Sequence, residues 1–416
     1  MKTIAPSPRR AAELHDIAAK TFSNEGYFNF LQYCRETYWT GSSYDWAASR
    51  IIEDKGRIVA HVGVWTYFTR VGAARLKTGG IGAVLTHADY RKQGLASRCL
   101  EACLAAMREQ GYDFSVLFGI RDFYHRFGFT QAWTDPALLA DVTALPEGPL
   151  ELRLESVSLA EVMCGRDTAG RSTNAGAAIL SIYSRETADQ VGTADRLAQP
   201  IYTRDSAFRS RYQARSLVNQ GGQVCGYLVT RKRNEVLDVL EAGGLAAPCG
   251  LGQLMAAIRE VATQAACRQV RLTDMPFQHP LFQAMRALTA RAELHYVKSG
   301  GPMAAVVNLQ TSLKKLLPVL SARLRAARLR TSAKLQLVSD RESVTLELAA
   351  GKVALARGEA ANRLEAGPAA ARLILGSESP ATLAVQEQVR FTGNAAELAE
   401  ALFPAQWPAL YAVDHF

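Results

Sequence analysis

The sequence predicts an α/β protein throughout, on three observations. Residues 1–145 alternate strand-like and helix-like segments, and residues 150–300 mix the two again as a weaker echo of the first block. After Gly300-Gly301-Pro302, an amphipathic helix leads into a run of short strands. The 416 residues leave room for about two to four domains.

In the first block, Arg9 to Ser23 sets Leu14, Ile17, Ala18 and Phe22 on one helical face. Arg57 to Thr69 reads as a strand carrying Ile58, Val59, Ala60, Val62, Val64 and Trp65. Val71 to Ala74 is a plausible turn into Arg75–Thr78, with a further strand at Ile81–Thr86. Leu95 to Gln110 is a helix stopped by Gly111. Phe114 to Phe118 is a strand, with a short helix near Phe123–Phe127. Pro136, Pro146, Gly148 and Pro149 mark a break between Asp135 and Leu150. In the second block, Gln223–Arg231 and Val236–Glu241 read as a hairpin, Gly252–Cys267 as a helix and Gln269–Thr273 as a strand. In the third, Ser312 to Arg330 sets Leu313, Leu316, Leu317, Leu320 and Leu324 against a basic opposite side, with a kink or break at Pro318. Strands at Lys334–Val338, Ser343–Leu348 and Lys352–Ala356 follow, then a helix near Ala395–Leu402 and an aromatic tail ending at Phe416.

Composition narrows the function classes. Apolar residues make up 48% and charged residues 21%, ordinary values for a folded chain. No apolar run approaches the ~20 residues of a membrane span, and Met1–Arg10 lacks the pattern of a secretory signal. The seven cysteines are irregularly spaced with no Cys-x-x-Cys pair, and the seven histidines are scattered. These features predict reduced thiols in a cytoplasmic protein, no structural metal, and core positions for Cys99 and Cys103. The net charge of +9 could attract nucleic acid, an anionic membrane or an anionic cofactor. With no recognition motif beside the charge, neither nucleic acid nor membrane is expected as a partner.

The informative stretch runs from Ile81 to Ser97. A strand ending in Val84, Leu85 and Thr86 leads into Arg91-Lys92-Gln93-Gly94-Leu95-Ala96-Ser97, which opens a helix. A helix N-terminus offers unpaired N–H groups and the positive end of a dipole. Gly94 allows close approach to a diphosphate. Ala96 is small, Arg91 and Lys92 add positive charge, and no carboxylate lies between Tyr90 and Arg98. Arg91 to Ala96 resembles the pyrophosphate loop of GNAT acetyltransferases. Phe123-Tyr124-His125-Arg126-Phe127-Gly128-Phe129 is similar to that family's Tyr-x-x-x-Gly-Phe/Tyr segment.

The resemblance implies an acetyl-CoA-dependent N-acetyltransferase. Tyr124 would protonate the departing thiolate, and His125 would be a surface residue. Val84, Leu85 and Thr86 would pair with the pantetheine arm and polarise the acetyl carbonyl. Gly119 falls where relatives often carry a small polar residue. The whole chain resembles the enhanced intracellular survival (Eis) family in layout. That implies two tandem GNAT domains, 1–145 and a degenerate 146–300, then an α+β sterol-carrier-protein-like domain, 301–416. Pro248-Cys249-Gly250-Leu251-Gly252 precedes the second unit's helix without a cation before it, so that unit is expected to bind no coenzyme. The resemblance also implies that the Phe416 carboxylate is the catalytic base, although Phe416 could instead merely pack.

The acceptor implied is a primary amine, such as an aminoglycoside, another polyamine or a lysine side chain, and the assembly a homo-oligomer, with hexamers in the family. Phe28, Tyr38, Trp39 and Trp46 could line the acceptor pocket or equally be core. Glu25, Glu36, Asp45 and Asp414 are candidate carboxylates for a cationic acceptor. A non-catalytic acetyl-CoA sensor and a lipid-binding protein acting through its C-terminal domain are the alternatives.

Overall fold

The computed structural model describes residues 1–22, 26–205, 211–296, 300–329 and 331–416. In chain order the first unit comprises β1 (Lys2–Ile4), α1 (Ala11–Phe22), α2 (Tyr27–Tyr33), β2 (Arg50–Asp54), β3 (Arg57–Val71), β4 (Ala74–Thr86), α3 (Leu95–Glu109), β5 (Phe114–Gly119) and β6 (Thr130–Gln131). β2, β3 and β4 are antiparallel, and β5 returns parallel to β4 after α3. α3 buries Leu95, Cys99, Leu100, Cys103, Leu104 and Met107, at helical spacing, against Val62, Val64 and Ile81. Each fully buried Leu side chain of this kind is worth about 1.5–3 kcal/mol. Alternate strand residues such as Trp65 and Tyr67 face the other side of the sheet, where α1 and α2 lie.

β4 is one strand, where the sequence suggested two. Gly79 and Gly80 are poor strand formers, but both are paired on each side, with Thr66 and Trp65 of β3 and with Ser115 and Val116 of β5.

The second unit begins with β7 (Asp135–Asp141) and β8 (Arg153–Val157), then α4 (Leu159–Cys164) and α5 (Asn174–Glu186); the β9 (Val191–Ala194) that follows pairs with β3 of the first sheet. The unit continues with β10 (Gln213–Val218), β11 (Val224–Arg233), β12 (Val236–Gly243), α6 (Gly250–Gln264), β13 (Gln269–Leu272), α7 (Pro280–Met285) and β14 (Ala290–His295). Its connectivity repeats the first: β10-β11-β12 antiparallel, a helix, then β13 parallel to β12. The two units exchange a strand. β7, which follows β6, lies between β13 and β14 of the second sheet. β15 (Gly301–Val306), which follows β14, lies between β5 and β6 of the first.

The sequence reading is therefore corrected at both joins. The Pro-rich break begins with a strand of the second sheet, and the strand after Gly300 belongs to the first sheet, so neither 145/146 nor 300/301 separates the units. Pro136 misled because proline is rare inside sheets. It sits at the end of β7, beyond the residues paired with β13, where no hydrogen bond to that neighbour is lost.

The remaining chain forms α8 (Leu309–Ala326), β16 (Ala333–Val338), β17 (Ser343–Ala349), β18 (Lys352–Ala356), β19 (Asn362–Glu365), α9 (Ala370–Leu375), α10 (Pro380–Val385), β20 (Arg390–Thr392) and α11 (Ala395–Leu402). The sheet order is β18-β17-β16-β19-β20. α8 continues through Pro318 without the suggested break. Pro318 is exposed, and Leu313, Leu316 and Leu320 are buried on both sides of it. The Arg330 end of the predicted helix lies outside the described residues.

Beyond α11 the tail crosses the molecule. Gln406 N–H donates to the Gly376 carbonyl (2.7 Å) and Ala409 N–H to the Val191 carbonyl (3.1 Å). Phe403, Leu410, Tyr411 and Val413 are buried, and the chain ends against the first sheet at Phe416. A fraying terminus would be polar and exposed; this one is docked.

Candidate active site

The site forms where β4 and β5 part. Their parallel pairing covers Thr78 to Ile81 against Phe114 to Leu117 and then stops. Gly82–Thr86 remain paired with β3 alone, so a gap opens beside the end of β5. A bulge lies at this point, with Ala83 and Val84 opposing only Val62 and Ala83 at φ +44°. A bulge re-aims backbone groups. Val84, Leu85 and Thr86 lie on the β4 side of the gap.

Past β4, the loop carries Arg91, Lys92, Gln93 and Gly94, all exposed, with left-handed conformations at Lys92 (φ +63°) and Gly94 (φ +74°). Gly94 is the N-cap of α3; no side chain caps that end, and its first turn holds no acid. The first-turn N–H groups of Leu95, Ala96 and Ser97 have no intrahelical acceptor. This end of α3 therefore suits a diphosphate. Arg126 adds a further cation, its Nη2 3.1 Å from Ser97 Oγ and its guanidinium 4.5 Å from the Phe123 ring.

Two residues approach the gap from opposite faces. Tyr124 packs with the α3-side core, and burial pushes its hydroxyl up to about 12. Its ring lies against Gly119: a Cβ there would be 2.6 Å from Tyr124 Cδ2. A side chain at Gly119 would therefore displace the tyrosine ring. Phe416 comes from the other face. Its ring lies 5.7 Å from Tyr67 and 5.8 Å from Phe118, and a Cβ on Gly80 would be 2.5 Å from its Cζ. Gly80→Ala is therefore expected to displace the C-terminus, as faster release of Phe416 by carboxypeptidase A would show.

Among the other candidates, Tyr38 lies buried under the bulge, its hydroxyl meeting the Ala83 amide, and the rest fall elsewhere. Trp39 is core; Phe28 is 81% exposed, and Trp46 is half-buried. Cys99 and Cys103 are buried in α3, and burial raises the Cys99 thiol to about 12. His125 is exposed. Among the proposed acceptor carboxylates, Asp45 accepts from the Ala47 and Ala48 amides and the Tyr112 hydroxyl. Asp414 is buried in an ion pair and Glu36 is exposed beside Gln32. Glu25 lies outside the described residues.

Sequence reading missed the clamp on the bulge. His61 is fully buried on β3; its Nδ1 lies 2.8 Å from the Ala83 carbonyl and its Nε2 2.8 Å from the Tyr44 hydroxyl. A carbonyl only accepts, so Nδ1 carries the proton and Nε2 accepts from Tyr44. The Tyr38 hydroxyl meets the Ala83 amide. No local pattern marks these residues. Gly79-Gly80 within a strand did carry a signal of close approach.

Burial holds His61, His15 and His279 each at about 4. The unfolded chain takes up these protons below about 6.5 and the folded chain does not, so stability rises with pH between these values, by up to about 3 kcal/mol per histidine. Asp135, pushed up to about 6, opposes them only weakly, because its side chain is exposed and screened by solvent. Thermal melts are expected to show a falling Tm from pH 6.5 to 4, with a shallower fall in His61→Gln.

Residues 11–132 match the family model described as Acetyltransferase (GNAT) domain. No curated protein matches the chain. Three solved structures share the fold along the whole chain. The GCN5-related N-acetyltransferase from Anabaena variabilis is 16% identical, with 100% of each chain covered and a TM-score of 0.73. That from Kribbella flavida is 15% identical, covering 100% of this chain and 98% of its own, at 0.69. Eis1 from Mycobacterium abscessus is 14% identical, with 100% of each covered, at 0.66. At these identities the likeness is one of fold.

Proposed function

We propose that this chain, whose residues 11–132 carry a GNAT acetyltransferase domain, acetylates a primary amine by direct transfer from acetyl-CoA. The single observation that carries the reading is the approach of Tyr124 and Phe416 from opposite faces to the gap between β4 and β5. Acetyl-CoA supplies the activated acetyl group and departs as the thiol. The uncapped α3 N-terminus with Arg91 and Lys92 binds the diphosphate. The backbone of Val84–Thr86 orients the arm and polarises the carbonyl. Tyr124, kept protonated by burial, donates to the sulfur. The Phe416 carboxylate takes the amine proton directly or through water.

The acceptor class is a polyamine such as an aminoglycoside, or a lysine side chain. In the same reading, residues 301–416 include a sterol-carrier-like unit, and the chain works in the cytoplasm as a homo-oligomer. The test is free-thiol release from acetyl-CoA by protein with an untagged C-terminus, across aminoglycosides, polyamines and lysine peptides. Turnover with one of these supports the reading. Acetyl-CoA binding without acetylation of any amine would replace it with the sensor.

A further inference from the structure

A fully buried ionic cluster lies outside the catalytic gap. Arg196 Nη1 and Nη2 lie 2.7 and 2.8 Å from the two Glu241 carboxylate oxygens. Its Nη2 and Nε lie 2.8 and 3.0 Å from the two Asp414 oxygens. The guanidinium stacks 3.9 Å from the Tyr183 ring, and the Tyr227 hydroxyl donates to Glu241 (2.7 Å). Burying three charges costs several kcal/mol each before pairing, and apolar replacements are often at least as stable. Stability alone does not call for such a cluster; what it supplies is directional geometry.

Its members come from different parts of the molecule. Glu241 lies on β12 just beyond the point where β12 and β13 part, the second unit's counterpart of the catalytic gap. Arg196 follows Asp195, which is buried and paired with Arg70 (2.9 Å) and Arg75 of the first unit. Asp414 lies two residues before the C-terminus. Two residues span at most about 7 Å, so fixing Asp414 confines the terminal carboxylate to a small volume. His415 and Phe416 then settle the remaining freedom, with the His415 ring 4.0 Å from Phe118 and Phe416 against Gly80.

We propose that Asp414 is a positioning residue: its ion pair with Arg196, braced by Glu241, latches the tail so that the Phe416 carboxylate is held at the gap between β4 and β5. The second unit thereby acts as the anchor of the first unit's base. The catalytic part of this inference rests on the function proposed above.

Asp414→Ala keeps the Arg196–Glu241 pair but leaves Arg196 Nε without its acceptor, which lowers stability, so melting and circular dichroism must first confirm the fold. The first readout is the rate at which carboxypeptidase A releases Phe416 from the full-length protein. The second is steady-state kinetics. The latch predicts release faster by about 10-fold or more, kcat lower by about 10–100-fold and the KM for acetyl-CoA within about two-fold. Asp414→Glu, which keeps the charge, should fall between. Unchanged release and unchanged kcat overturn the proposal. So does faster release with unchanged kcat, which would leave a tether without catalytic consequence. A protein lacking Phe416 that turns over normally would instead remove the base reading beneath it, and the release assay would still report whether Asp414 holds the tail.

Discussion

Deleting Phe416 is expected to lower kcat by about 100-fold or more while the KM for acetyl-CoA stays within about two-fold. In the proposed reaction the amine arrives protonated and must lose a proton before or during attack, and a positioned base contributes about 10²–10⁴-fold. A loss of about 100-fold corresponds to about 2.7 kcal/mol of transition-state stabilisation. The cationic loop proposed to hold the coenzyme lies on the α3 side of the sheet, whereas the Phe416 ring meets Gly80, Tyr67 and Phe118 from the opposite side. Cofactor binding should therefore be spared. Deletion also removes a packed ring, so a second variant is needed. One glycine added after Phe416 keeps the ring and moves the carboxylate by about 3.5 Å. A comparable loss of kcat in that variant assigns the effect to the carboxylate, and normal turnover in both would discard it as the base.

Tyr124→Phe is expected to lower kcat by a similar factor, about 100-fold, with the acetyl-CoA KM again little changed. The ring contacts with Phe123 (4.9 Å) and Phe129 (6.2 Å) survive the substitution, so the fold is retained and the loss reports the hydroxyl. The pH profile supplies an independent check. Burial disfavours the phenolate and raises the hydroxyl to about 12, so the acid form persists as pH rises past the ordinary tyrosine value of about 10. The wild-type rate should therefore not decline at that ordinary value. Undiminished kcat in the phenylalanine variant would mean that water, rather than Tyr124, protonates the thiolate.

The parts of this protein legible from its residues are those whose physics is local. The loop from Arg91 to Ser97 lies between one strand and the helix it opens, and its conformation follows from Gly94, the absence of nearby acids and the chain direction. The α3 stripe of Leu95, Cys99, Leu100, Cys103 and Leu104 is a helical period, and α3 and α6 both emerged close to their expected bounds.

Other features depend on residues that sequence distance hides. The exchange of β7 and β15 could not be read because either strand completes either sheet, and pattern alone does not say which edge is open. The Pro-rich stretch after Asp135 read as a break because a proline's lost hydrogen bond shows as harmless only once its neighbours are known. Asp414 looked like an acceptor carboxylate because its partner, Arg196, lies 218 residues away. His61 and Tyr38 gave no sign of holding Ala83, since a buried histidine on a strand resembles any other core residue. The residues thus specify the chemistry available, a cationic loop, a phenol and a terminal carboxylate. Which of these groups meet was decided by strand pairing and tail docking, because those long-range contacts form only when the whole chain is packed.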